Sequence, residues 1–471
     1  MRNINLSSGN TMDFVQILKE VQEYFTSHHS DVSLDDKFQV KRFVKKRLED
    51  KEYTVEGMSL DVLTDKIYQE MSEYSFLTPY LNFTINGVEG IEIDSWDSIK
   101  IKYAGGKYER SKEHFFSPQH AESIMKRLLH QSKIEFDDAK PLARGHLKEK
   151  IRITVSGSTV LDKAVGIAGS IRFVNPSNLK KHDLIRFGSA TEEMLNFLSL
   201  AYRYGASMLL AGETDAGKTT LMSVIMDIIP DNKKLITIEN GNREFNKVKR
   251  DKDGNVINSA IHYVTRESDD PTKAVTQQML LEHVMTMNPD YLCMAEVKGS
   301  EASETIEASL TGHPVIGTTH TDECRTIPDR LVQLASYHKS SNLSDTMLMR
   351  LATKAFPILF YAHKGDDDVR RITEICECQM ENGMPVFQTL WEFVTVENRI
   401  ENGKTIIDGY FKKTGTISPE LQNRLRRKGM PESVLQQFLK TEGVQTNDAH
   451  QIDRLSHHGG RVTDSTAAFA V

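Results

Sequence analysis

Apolar residues in this chain first recur at helical spacing. Phe14, Ile17, Leu18, Val21 and Phe25 predict one buried helix face within a charged, helical stretch over residues 1–78. From 79 to 187 the period turns mostly to two. Gly90–Asp94 and Ile99–Tyr103 alternate, Gly105-Gly106 is a turn, and Ile151–Val155 and Ser170–Val174 predict further strands. Gln119–Leu129 returns to helical spacing with Ile124, Leu128 and Leu129 inward, so this stretch predicts a compact, smaller α+β domain. Asn175-Pro176-Ser177 begins a linker, and Ser189-Ala-Thr-Glu192 reads as a capping box opening a helix to about Gly205.

Over 188–395 short buried strands alternate with helices. Met208–Gly212, Lys234–Ile238 ending in Glu239, Pro289–Glu296, and Val315–Thr319 leading into His320 each run into polar groups at the C-terminal end. That pattern predicts an α/β unit with a mostly parallel sheet and a site along one edge. Asp253-Gly254, between polar flanks, suggests a protruding hairpin. Over 396–471 the chain turns polar. Ser418-Pro419 and Gly429 bracket a short helix, and Pro431 opens another carrying Val434, Leu435, Phe438 and Leu439. Residues 441–471 are expected to be disordered, and His457-His458 there to be solvated rather than metal-bound.

With 471 residues, 39% of them hydrophobic, the chain can bury sizeable cores. A net charge of −7 argues against whole-chain attraction to nucleic acid, so no direct nucleic-acid partner is expected. Cys293, Cys324, Cys376 and Cys378 lack the spacing of a zinc cage or a disulfide framework. No apolar run approaches the ~18 residues of a membrane span, so a cytoplasmic protein is expected, with any membrane association peripheral or through a partner. Lys41, Arg42, Lys45, Lys46 and Arg47 cluster around Phe43 and Val44; a solvated helix face and a contact with anionic lipid both fit.

The chemistry concentrates in Gly212-Glu213-Thr214-Asp215-Ala216-Gly217-Lys218-Thr219-Thr220, a match to G-x-x-x-x-G-K-S/T between a strand and a helix. Its glycines let successive N–H groups point at a phosphate chain, and the helix N-terminus adds to that field. Lys218 reaches β- and γ-phosphates, and the Thr219 hydroxyl suits Mg²⁺. Such a loop implies ATP or GTP chemistry without naming the reaction. Hydrolysis also needs a positioned water. Glu296, after the apolar Leu292–Ala295, stands where an acid holds Mg²⁺-bound water or polarises a nucleophile, and Glu239 stands similarly. His320 and His313 each read either as a γ-phosphate contact or as a satisfied structural histidine. Covalent catalysis is not suggested.

These pieces together resemble the secretion ATPases of the type II/type IV secretion superfamily, most of all the branch serving tight-adherence (Flp) pilus assembly and conjugative transfer. The likeness covers about residues 79–395. It rests on Ala295–Ala302 and Thr311–Thr321, which match the family's second acidic motif and histidine box. Leu235–Glu239 looks like its aspartate box, and Arg371–Ile375 like the strand after the core. The resemblance implies a RecA-like ATPase domain behind the N-terminal domain, assembled as a homo-hexamer. It further implies ATP with Mg²⁺, location at the inner face of the cell membrane, and inner-membrane platform proteins as partners. Carried over by position, Lys218 and Thr219 bind phosphate and metal, and Glu296 is the leading catalytic acid and a metal contact. Glu239 is a second acid, His320 a γ-phosphate contact, and Arg172 an arginine arriving from the N-terminal domain, with Arg144 behind it.

Some positions depart from the family. The aspartate box usually reads E-D-x-x-E, but here it is Glu239-Asn-Gly-Asn-Arg-Glu244, with the second acid one residue late. Asp215-Ala216 replaces a favoured Gly-Ser, and Thr286, Asn288 and Lys298 stand where arginines are common. Two other readings stay open: a nucleotide-gated assembly scaffold with negligible turnover, and a DNA-translocating motor.

Overall fold

A computed structural model describes residues 10–11, 13–29, 31–85, 87–103, 108–147, 151–173, 179–241, 243–266, 268, 270, 272–337, 343–401 and 403–440. The Gly105-Gly106 turn, the 175–177 linker and the 441–471 tail with His457-His458 lie outside the described residues. The chain forms two compact units, Met1–Asn175 and Pro176–Val471. No helix among the described residues is long and apolar enough to cross a membrane.

The first unit holds two cores. Helices Phe14–His28, Lys37–Asp50 and Leu60–Ser72 bury Ile17, Leu18, Val21, Phe25, Val40, Val44, Leu48, Leu63 and Ile67 together. Within the basic cluster Val44 belongs to this core, while Lys41 and Lys45 pair with Asp65 at 2.5 Å and Asp61 at 2.8 Å on the next helix. The second core lies between a six-stranded antiparallel sheet and the helix Pro118–Gln131. The sheet runs Tyr108–Arg110, Ser98–Tyr103, Val88–Ser95, Ala168–Phe173, Ile151–Ser156, Leu142–Leu147. Ser117 caps the helix, its hydroxyl accepting the His120 N–H at 3.1 Å, and Pro118 follows where a missing N–H costs nothing.

The second unit is built on a nine-stranded sheet. Six parallel strands lie in the order Ala260–Val264, Leu235–Glu239, Tyr291–Met294, Val315–Thr319, Met208–Gly212, Ile358–Lys364. Apart from the edge strand at 260–264, that order sets the P-loop strand between the fourth and fifth strands in chain sequence. The architecture is α/β and RecA-like. Met208 and Leu210 enter one core and Leu209 and Ala211 the other, so the strand is covered on both faces. Two-sided burial is why it reads as an unbroken apolar run.

Two features differ from the sequence expectation. Helix Glu192–Arg203 is capped by Thr191, whose hydroxyl accepts the Met194 N–H at 3.2 Å, and not by Ser189. The Ser189 carbonyl instead accepts the Ile372 N–H at 2.8 Å, which ties the approach to the helix to the sheet. Second, the polar stretch after 395 is not only helical. Antiparallel strands Arg370–Glu381, Met384–Glu401 and Lys404–Lys413 extend the sheet, and Val396 and Ile400 stay exposed on the ribbon, which erases the usual alternation. Helices Pro419–Arg427 and Glu432–Leu439 form where the sequence sets them and return to the core, burying Leu421, Leu425, Leu435 and Phe438. The buried Glu377 carboxylate anchors that return by accepting the Ser418 N–H at 2.7 Å. At Asp253-Gly254 the expected turn forms, with one antiparallel bridge between Arg250 and Val256. All four cysteines are buried.

Phe197 joins the C-terminal return to the sheet. It is fully buried, with its ring 5.0 Å from Trp391 and 5.4 Å from Phe438. Phe197→Ala should cost roughly 3–5 kcal/mol, read as a lowered urea midpoint with an unchanged slope.

Candidate functional site

The parallel register sets the chemistry side by side. Ala211 pairs with Thr319 and Gly212 with Ala362, and Met294 pairs with Gly317 and with Ile238. Residues just past these strand ends therefore share the C-terminal edge: the P-loop, Glu239, Glu296 and His320.

Glycine is required at Gly212. Its φ is +154°, and a Cβ there would lie 2.2 Å from the Ala362 carbonyl oxygen. Gly217, at φ +82°, precedes the helix Lys218–Met226 and turns its first N–H groups toward the loop. Inside the loop the Lys218 ammonium donates to the Gly212 and Glu213 carbonyls, both at 2.7 Å. Burial pulls its pKa below the ordinary lysine value, although Glu296, Glu213 and Glu244 pull the other way. Ala216 is buried, Glu213 and Thr214 are exposed, and Thr220 is half-buried on the first helical turn.

Glu296 is half-buried. One carboxylate oxygen lies 3.1 Å from His320 Nε2 and the other 3.7 Å from Lys298 Nζ. Its backbone carbonyl accepts from Gln277 Nε2 at 2.8 Å, which fixes the strand exit. His313 sits apart from this group, with Nδ1 2.9 Å from the Pro289 carbonyl.

The aspartate-box acids divide the work. Glu239 is fully buried. Its carboxylate accepts from the Thr237 hydroxyl at 2.7 Å, from the Phe245 N–H at 2.9 Å, and from the Glu244 N–H. His262 Nε2 accepts the Lys247 N–H at 3.1 Å, which leaves the ring proton on Nδ1, 2.8 Å from the Thr237 hydroxyl. Glu239 thereby organises the segment that carries Glu244. It is Glu244 that reaches the loop, accepting from the Thr219 hydroxyl at 2.9 Å.

Glu244 was outside the candidate set chosen from sequence, although its displaced place in the acidic motif was the available signal. Arg370 was also missed. Its guanidinium donates to the Asp215 carbonyl at 2.7 Å and to the Asp215 carboxylate at 3.0 Å, and no spacing in the sequence marks it. Arg172 and Arg144 lie on strands Ala168–Phe173 and Leu142–Leu147 of the first unit, whereas the loop and its acids belong to the second.

The donor set fits a nucleotide with Mg²⁺. A desolvated ammonium and loop N–H groups suit phosphate oxygens, while the Thr219 hydroxyl with Glu244 and Glu296 suits a hard divalent cation.

The family model described as "Type II/IV secretion system protein" matches residues 119–433, and the chain belongs to that family. An uncharacterized protein of Methanocaldococcus jannaschii is 30% identical over 194 residues, covering 41% of this chain and 33% of that protein. The type IV secretion system protein VirB11 of Brucella suis biovar 1 is 28% identical over 187 residues, covering 39% of this chain and 50% of VirB11. The match thus spans half or less of each of these two relatives. The X-ray structure of the ATPase DotB of Yersinia pseudotuberculosis superposes with a TM-score of 0.46 at 16% identity, over 81% of this chain and 92% of DotB.

The shift at Lys218 has a sign. Below both its folded value and the ordinary 10.5, the amine is charged in both states and folding bears the whole cost of desolvating it. That cost fades as pH climbs through the folded value toward 10.5. Lys218→Met, free of nucleotide, should melt at or above the wild-type temperature at neutral pH, and the gap should narrow in alkali. A lower melting temperature at neutral pH would contradict this account.

Proposed function

We propose that this chain hydrolyses ATP as a ring motor, a homo-hexamer at the cytoplasmic face of the cell membrane that powers conjugative transfer, secretion or pilus assembly. Membership of the secretion family supports the motor class. The observation that carries hydrolysis is Glu296, an acid at the end of an apolar strand, in the field of the half-buried Lys218 and 3.1 Å from His320.

In this reading the loop N–H groups and Lys218 hold the phosphate chain. Thr219, with Glu296 and Glu244, holds Mg²⁺, which when bound neutralises charge on the phosphate oxygens. Glu296 orients the attacking water, and His320 stands where it meets the terminal phosphate and keeps the Glu296 carboxylate turned inward. Glu239 acts through Glu244 as a positioning residue. Arg172 supplies positive charge from the first unit when the units close on nucleotide, coupling turnover to movement. Inner-membrane platform proteins of the machine are the partners, and tight-adherence or conjugative systems the branch. The withdrawal of Glu239 into internal hydrogen bonds favours a second reading, a nucleotide-gated scaffold with little turnover.

Steady-state phosphate release by the purified chain separates the two. Glu296→Gln should keep ATP binding and lower kcat by about 10²–10⁴, while Lys218→Ala should lose binding. Turnover that survives both changes would overturn the site, and binding with ring assembly but no phosphate release would favour the scaffold. Arg172→Ala should leave affinity near wild type and lower kcat by at least about tenfold; an unchanged kcat would remove it from the mechanism.

A further inference from the structure

We propose that Arg370 is the residue that makes this acidic phosphate loop able to accept a phosphate chain, by gripping Asp215. The inference rests on reading the loop as a nucleotide site.

The loop has a charge problem. Between Gly212 and Gly217 it carries two carboxylates, Glu213 and Asp215, and its lysine is already engaged by two carbonyls. Carboxylates beside a polyanion site oppose binding at short range, and most where water is excluded.

The neighbouring hairpin supplies the counter-charge. Because Ala362 pairs with Gly212, the next residues of its strand, His363 and Lys364, run alongside the loop. The chain then turns, and antiparallel pairing sets Arg370 opposite Lys364. His363 Nδ1 lies 3.3 Å from the Glu213 carboxylate, and Lys364 Nζ lies 3.9 Å from Asp215 Oδ2. Arg370 does more than neutralise. Its Nε donates to the Asp215 carbonyl at 2.7 Å while its Nη2 donates to the Asp215 carboxylate at 3.0 Å. A guanidinium fork, with its donors fixed in one plane, suits holding the backbone and side chain of one residue in that way.

The held residue is a strained one. Asp215 has φ +69°, a left-handed conformation that a non-glycine residue adopts at a cost and keeps only when its surroundings insist. The stem of Arg370 continues over Gly217, where a Cβ would come 3.1 Å from its Cδ. Arg370 therefore fixes the loop at two points and removes the negative charge that its Asp215 would present. It is a positioning residue, acting on the ligand through Asp215.

The test is a double-mutant cycle on the full chain, with fluorescent ATP and ADP analogues as probes. Arg370→Ala should weaken ATP binding by about 10- to 100-fold and ADP binding by less, since the effect scales with ligand charge. Asp215→Asn alone supplies the reference affinity of a loop without that carboxylate. The pair Asp215→Asn with Arg370→Ala should lie within roughly threefold of Asp215→Asn, because no carboxylate then needs an answer. Arg370→Lys should restore part of the loss. Should Arg370→Ala fail to fold, Arg370→Gln alone and with Asp215→Asn makes the same comparison. A double variant as weak as the arginine variant, or an arginine variant as tight as wild type, would overturn the proposal. Lys218→Ala is the separate control: retained binding there would sink the nucleotide reading itself, whereas its loss without the asparagine rescue sinks only the role of Arg370.

Discussion

A desolvated ammonium within reach of three carboxylates is the constraint on which the second unit depends. Lys218 is half-buried in the loop that carries it, and Glu213, Glu244 and Glu296 lie within its field. Left to itself the group is uncomfortable: the cation has lost hydration and the acids repel one another. A polyphosphate with a divalent ion is its chemical complement, since phosphate oxygens answer the amine and the metal answers the acids.

The sheet is what makes such an arrangement tolerable. Covered on both faces, the central strand cannot slide by a residue without exchanging the side chains packed into its two cores. Register then fixes which strand ends are neighbours, and the close approach of Gly212 to the Ala362 carbonyl leaves the loop no freedom to drift sideways. Hydrogen bonds beneath the edge finish the work. Thr237, His262 and Glu239 form a buried chain whose role is to aim a neighbouring segment, and the acid that reaches Thr219 is the one at the end of that segment.

How much of this could be read beforehand depended on whether a feature is local. The P-loop, its strand and its helix are a contiguous pattern and were legible entire. Glu296 and His320 were legible because each directly follows an apolar run that can only be a buried strand. The distinct parts of Glu239 and Glu244 were not, because the hydrogen bonds that hold the first depend on His262 arriving from the adjacent strand and on the chain folding back at Glu244 and Phe245. Arg370 was hidden for the same reason: it lies far along the chain from Asp215, and only pairing of the hairpin brings them together. The long strands after residue 381 escaped notice because a ribbon with apolar side chains left exposed lacks the alternation by which half-buried strands are recognised.

The four cysteines carry a consequence for anyone who wishes to watch this molecule move. All are buried, desolvation raises the pKa of the Cys293 and Cys324 thiols well above the ordinary value, and it pushes Cys378 up to about 12. A thiol kept protonated and out of solvent is a poor nucleophile. A cysteine placed on the surface of either unit would then be the reactive one under native conditions, so dyes could be attached in pairs and distances followed in solution without first stripping the natural sulfurs from the core.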